Sequence, residues 1–245
     1  MHFIPHTKMA DIIHENYLLL PILGRFNIQL GFADKTVEEV CNEKGVNLEF
    51  FLVIINSFHD PEFFPEEHLR SFPLAVILDY IRNSHNHYLN YKLPQIESYI
   101  KRLVAEAGEP NKKHFELIEK FFSEYKEEVI THIQDEENRI FPYITSIDKL
   151  YNQQQVNPEH RKLIRENTIS VFASEHTNME DKLFDLKNIM IKYMPPVKDY
   201  SLYNMLLFEL FRLEKDLRDH ARIEDNVMVP KVQLIENELL KRVGE

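Results

Sequence analysis

Two stretches of this chain carry the same chemistry-bearing pattern. His132-Ile133-Gln134-Asp135-Glu136-Glu137-Asn138-Arg139-Ile140-Phe141-Pro142 is echoed by His220-Ala221-Arg222-Ile223-Glu224-Asp225-Asn226-Val227-Met228-Val229-Pro230. Each copy is His-x3-Glu, an acid, Asn, three further residues and Pro. A His and a Glu four apart on a helix lie one turn above each other on one face, so imidazole and carboxylate can reach one ion. Proline does not continue a helix comfortably, so each copy is expected to form the last turns of a metal-facing helix. A single His-x3-Glu is a weak signal, and His176 with Glu180 makes a third, incidental one. The doubled pattern at matched places in two similar halves is far more specific and points to a duplicated helix pair around a metal.

The two halves repeat more than this segment. His85 precedes His132 by 47 residues and His176 precedes His220 by 44. Each half then supplies one His from its first helix and a His plus a Glu from its second. Four imidazoles and two carboxylates suit two iron-sized ions, because imidazole binds iron well and a carboxylate can bridge. They oversupply a lone zinc, which takes four ligands in all. Ferritin-type Glu-x-x-His pairs are absent from both copies, and so is the HExxH arrangement of hydrolytic zinc sites.

Four long helical patterns position these residues. The first spans 73–107 and carries His85, with Pro94 expected to kink it. The second spans about 111–147, with Asn111 as candidate cap, and carries His132 and Glu136. The third starts at the cap Asn157-Pro158 and runs to about Tyr193, with His176 midway. The fourth spans about 201–241 and carries His220 and Glu224. Four such helices on short connectors form an antiparallel four-helix bundle. Ahead of them, residues 1–57 are expected to hold three small helices: 9–24, with Pro21 at its end or at a bend; one opened by the capping box Thr36 and Glu39 and closed by Gly45; and an apolar one capped by Asn47. Residues 58–72, broken by Pro61 and Pro65, are the expected linker to a bundle over 73–245.

Only five Gly among 245 residues favour an all-α fold, and the net charge of −11 argues against a nucleic-acid partner. One cysteine, Cys41, excludes an intrachain disulfide and a cysteine zinc cluster. No signal peptide or membrane-length apolar run is evident, so a cytoplasmic setting is expected.

These residues resemble hemerythrin-like di-iron proteins and, more closely, the iron–sulfur cluster repair family, which joins a small helical N-terminal domain to a hemerythrin-like bundle. The matching segments are Thr131-His132 to Phe141-Pro142, Ser174-Glu175-His176 and Asp219-His220 to Val229-Pro230, with Pro73-Leu74 and Leu93-Pro94 in the first bundle helix. The resemblance implies two irons held by His132, Glu136, His176, His220 and Glu224, with Glu136 and Glu224 bridging and Glu175 nearby. For the first helix its strict register lands on Asn86, flanked by His85 and His87; His85 is taken as the ligand and His87 stays the rival. The family's N-terminal domain carries adjacent cysteines, where this chain has Gly31 and Phe32. The function expected on this basis is that of a di-iron protein that binds or senses O2 or NO in oxidative or nitrosative stress, with a link to cluster repair that the missing thiols weaken. The alternative is a regulatory protein whose N-terminal domain binds a protein partner while the bundle reports iron or oxygen.

Overall fold

The computed structural model describes residues 2–109, 111–153, 162, 164–165, 168–175 and 179–242, without the side chains of 173–180. In order, α1 is Met9–Glu15, a 3₁₀ turn Tyr17–Leu19 leads into α2 Leu20–Arg25, α3 is Val37–Lys44, α4 Leu48–His59 and α5 Glu66–Ser71. Further along come α6 over 74–106, α7 over 112–153, α8 Ile169–Glu175, α9 Met179–Tyr193 and α10 over 200–242. Among the described residues the sole β-type pairing is an isolated bridge between Lys8 and Thr36.

Local signals written into the chain behave as physics requires. Thr36 accepts from the Glu39 amide while the Glu39 carboxylate takes the Thr36 amide, opening α3; Gly45 closes it at φ 67°. Asn47 accepts from Phe50 N at 2.9 Å, opening α4. Three local expectations differ. The first helix breaks at Asn16, extended at φ −147°, and Pro21 sits in the first turn of the next piece. Asn111 precedes α7 without a side-chain cap bond. The segment after Pro65 is helical, and α5 buries Leu69 completely. The expected start of the third helix at Asn157-Pro158 lies outside the described residues.

The largest departure concerns Pro142 and Pro230, expected to follow the last turns of their helices. Neither ends its helix, and Pro94, expected to kink its own, is accommodated in the same way. In each case five residues adopt a π turn, Tyr88–Lys92, Glu136–Ile140 and Glu224–Met228, and the residue before the proline donates to the carbonyl five back: Leu93 to Tyr88, Phe141 to Glu136, Val229 to Glu224. Proline lacks an N–H and crowds the carbonyl four residues earlier. A widened turn takes up that crowding inside a continuous helix. The carbonyl four before Pro230 belongs to Asn226, and Arg70 of α5 donates to it at 2.8 Å. Asn-x3-Pro thus occurs three times, the third being Asn90 to Pro94.

Residues 93–106 pack on 112–135 and 74–87 on 141–153, so α6 and α7 are antiparallel; the first half of α10 packs on the second half of α6, and its last part on the last part of α7. The apolar interior falls into two clusters. One joins the N-terminal helices, through Ile12, Ile22, Phe50, Phe51 and Ile54, to Leu74–Ile81, Phe141–Ile147 and Val229–Leu239. The other fills the opposite end, with Tyr88, Ile96, Phe122, Val129, Leu186, Leu206 and Leu217. The N-terminal segment is pinned further by Arg25, whose side chain is fully buried, bonded to Asp216 of α10 and to the Tyr80 hydroxyl at 3.2 Å. Burial alone would raise the Asp216 carboxyl, but Arg25 holds it below the usual carboxylate range.

Breaking such a buried pair from one side strands the other charge, at about 3–5 kcal/mol. Asp216→Ala is therefore expected to lower the unfolding free energy of the metal-free protein by that amount in a urea titration. A loss under about 1 kcal/mol would show that the pair does not secure the N-terminal segment.

Candidate metal centre

The two apolar clusters leave a polar layer between them, and that layer holds the expected site residues. In α7, Ile133 belongs to one cluster and Ile140 to the other, with Glu136 between them; in α10, Leu217 and Ile223 flank His220 in the same way. Within each copy the His and the Glu are one α-helical turn apart, since the Glu136 amide still donates to the His132 carbonyl and that of Glu224 to His220. The π turns begin at the glutamates, so they shift only the residues beyond and leave the His-x3-Glu geometry intact.

His85, His132, Glu136, His220 and Glu224 converge. His85 Nε2 lies 3.2 Å from His220 Nε2, 3.2 Å from Glu136 Oε2 and 3.8 Å from Glu224 Oε1. His220 Nε2 lies 3.0 Å from Glu224 Oε1, and His132 Nε2 3.4 Å from Glu136 Oε1. Two ligand triads result, His85–His220–Glu224 and His132–Glu136–Glu224, each with its atoms within 4.8 Å of one another, and Glu224 belongs to both. Four of the five residues are buried, and His132 is 18% exposed at the side chain.

His176 and the side chain of Glu175 lie outside the described residues. The ambiguity in the first helix has a geometric answer as to which residue faces the cluster. His85 is 2% exposed and points inward, whereas Asn86 is exposed. His87 turns to another face and stacks on Tyr91 with ring centroids 6.1 Å apart. Its imidazole is pushed down to about 4 by burial and by the charge of Arg25. One residue of helix is about 100° of rotation, which separates the three.

The residues present fit a cation. Both Glu136 oxygens are buried within 3.2–3.4 Å of imidazole nitrogens, yet they make no hydrogen bond, and neither does the buried Nδ1 of His220. Buried carboxylate oxygens left so are costly unless a charge meets them. Donors about 2.1 Å from an octahedral ion lie roughly 3 Å from each other, and these spacings are close to that. Electrostatics agree. Burial, and then the charge of Glu224, raise the Glu136 carboxyl. Burial alone would lower His85, but close contacts with Glu136, Glu137 and Glu224 raise it well above its usual value. Burial lowers His220.

Sequence reasoning missed several participants. Glu137 accepts from His85 Nδ1 at 2.8 Å and meets Arg82 Nε at 3.3 Å; its signal was the acid directly after the glutamate in both copies. Phe141 stacks flat on His85, 5.6 Å away at 5°, and the Tyr88 and His220 rings meet at right angles with centroids 5.5 Å apart. At the positions where the resembled family has thiols, Gly31 holds φ 101° and Phe32 packs on the core. Cys41 is fully buried in that core, its thiol pushed up to about 11 by burial, so it offers no thiolate.

The family described as "Hemerythrin HHE cation binding domain" matches residues 78–232. An iron-sulfur cluster repair protein, ScdA of Staphylococcus haemolyticus, is 21% identical over 226 residues, covering 91% of this chain and 96% of its own length. The iron-sulfur cluster repair protein YtfE of Escherichia coli is 26% identical over 169 residues, covering 68% of this chain and 69% of its own. No helix among the described residues is long and apolar enough to cross a membrane.

An imidazolium has no lone pair for an ion, and the acidic contacts that raise His85 favour its protonated form, so a cation and a proton compete for its Nε2. Binding of Fe(II) at pH 7 is expected to release protons, and affinity to rise with pH through the neutral range. Calorimetry in two buffers of different ionisation enthalpy measures this; zero release at pH 7 would contradict the assignment.

Proposed function

This chain belongs to the hemerythrin HHE cation-binding domain family, and on that premise we propose that it is a non-haem di-iron protein. It binds or senses a small diatomic ligand, O2 or NO, in oxidative or nitrosative stress, and acts in the upkeep of iron–sulfur clusters. The observation that carries this is the pair of ligand triads sharing Glu224. One triad calls for one ion; two with a common carboxylate call for two, since a carboxylate oxygen pair can bridge. His85, His132, Glu136, His220 and Glu224 are the proposed ligands, with His176 as the sixth.

A bound iron pair supplies electrons and a coordination position for the diatomic ligand. The rest is the work of the chain. Glu136 and Glu224 place two negative charges against the cations in an environment that screens them little. The imidazoles of His85 and His220 are held by ring contacts with Phe141 and Tyr88. The apolar clusters on both sides keep bulk water from the layer, which favours small, weakly polar ligands. His132, alone among the described ligands in being part-exposed, marks a side from which such a molecule can arrive.

Support for cluster repair comes from the names of the relatives and from their coverage of the chain. Any repair step that needs a thiolate pair has no residues for it here, so the role we assign runs through the iron centre alone. A protein partner on the N-terminal segment is favoured by one observation. Tyr17, Leu18 and Leu30 are 67%, 41% and 66% exposed, large side chains turned to the surface of that segment. A cytoplasmic setting completes the proposal.

Anaerobic, iron-replete expression is expected to yield about two irons per chain, with a visible spectrum that changes on exposure to air or NO. Less than about one iron per chain in the wild type would overturn the function. Because Glu224 serves both triads, Glu224→Ala is expected to bring the content below that level. For the partner, Leu18→Glu with Leu30→Glu should leave the iron spectrum intact while removing the protein's effect in cells, and an unaltered effect would dismiss the surface.

A further inference from the structure

His85 is clamped on more sides than its neighbours, and the clamp is built from two helices. Its Nδ1 lies 2.8 Å from Glu137 Oε1. A carboxylate can only accept, so Nδ1 carries a hydrogen, and a ring that gives up its other proton to a cation does so at Nε2. Nε2 is the atom that lies 3.2 Å from both Glu136 Oε2 and His220 Nε2. Glu137 is itself held, since its other oxygen meets Arg82 Nε at 3.3 Å. The Arg82 guanidinium sits 5.3 Å over the Phe141 ring, and that ring stacks on His85. Arg82 and His85 are three apart on α6, and Glu137 and Phe141 four apart on α7, so each pair shares a helix face. The result is a closed frame of Arg82, Glu137, His85 and Phe141 around one imidazole.

We propose that Glu137 is a positioning residue: it fixes the tautomer and ring direction of His85, so that Nε2 is presented to the cation as a lone pair. This rests on the di-iron reading above and adds a division of labour within the repeated motif. Of two adjacent glutamates, Glu136 points into the polar layer where a cation would sit, while Glu137, about 100° further round, reaches the far nitrogen of a histidine on the preceding helix. The motif therefore orders a ligand that it does not contain. His220 has no such support at Nδ1, which is buried without a hydrogen bond. Partners of this kind change metal affinity by about 10- to 100-fold when removed.

The test compares wild type, Glu137→Ala, Glu137→Leu and Glu137→Gln. Fe(II) affinity is measured by competition with a chromophoric chelator, and the His85 tautomer by long-range ¹H–¹⁵N correlation on zinc-loaded protein. Ala and Leu are expected to bind Fe(II) about 10- to 100-fold more weakly and to lose the single Nδ1–H tautomer. Gln, whose amide oxygen still accepts, should stay within about threefold of wild type. Leu keeps most of the volume, so the comparison survives if Ala fails to fold. Affinity within about twofold of wild type in Leu, with Nδ1 still protonated, overturns the proposal and leaves the di-iron reading standing. A wild type that takes up no Fe(II) overturns both.

Discussion

Two glutamates with almost no exposure, facing each other across a helical interior, are the constraint to which the rest of this structure answers. Glu136 is 0% and Glu224 1% exposed, and the charge of Glu224 adds to the cost of ionising Glu136. A buried carboxylate is tolerated only against a positive charge or a full set of donors. Three imidazoles among the described residues face these two, none of them permanently charged, so a cation is what completes the balance. The polar layer also explains why the interior is split. Apolar side chains fill both ends of the bundle and stop on either side of the same turn of α6, α7 and α10.

The layer comes with a backbone feature that recurs in three helices. Each has a proline some residues past its last described site residue (Pro94 after His85, Pro142 after Glu136, Pro230 after Glu224), and each absorbs it in a π turn rather than ending. The gain is continuity. A helix that stopped at Pro142 or Pro230 would leave the site at the bundle's rim; a helix that continues buries it, with Phe141, Ile144, Val229 and Val232 as cover. Arg70 then takes up the Asn226 carbonyl in the widened turn and ties α5 to α10. The chain between the N-terminal helices and the bundle is thereby fastened at the site's edge.

The N-terminal segment is built into the same core, and its charged anchor lies close to the metal layer. Arg25 pairs with Asp216, one turn before His220, beneath the rings of Phe58, Tyr80 and Tyr88. Its connector uses positive φ at Asn27, Gly31 and Ala33, so Gly31 serves the backbone and Phe32 the packing where the resembled family keeps thiols. The segment packs into the core without the residues that thiol chemistry would require.

The features that could be read along the chain were those local in sequence. The capping box at Thr36, the Asn47 cap, the stop at Gly45 and the His-x3-Glu pairs each depend on residues within four positions, a distance that helix geometry translates directly into contact. The all-α class and the bundle came from the same periodicity. Other features needed the third dimension. Along the chain the register of the resembled family falls on Asn86, with His85 taken as ligand and His87 as rival; the packing of α6 against α7 and α10 turns His85 inward and leaves Asn86 exposed. The Arg25–Asp216 pair spans 191 residues and has no local mark. Glu137 was visible as an acid but not as a partner, because that partner lies 52 residues away on another helix. The prolines carried a correct local preference that lost to burial, since an apolar face on both sides of the turn favours a continuous helix with one wide turn over two short ones. The chain by itself thus determined which residue types are available to a cation and at what spacing along each helix; the fold decided which rotation each helix presents, because rotation is set by packing rather than by sequence distance.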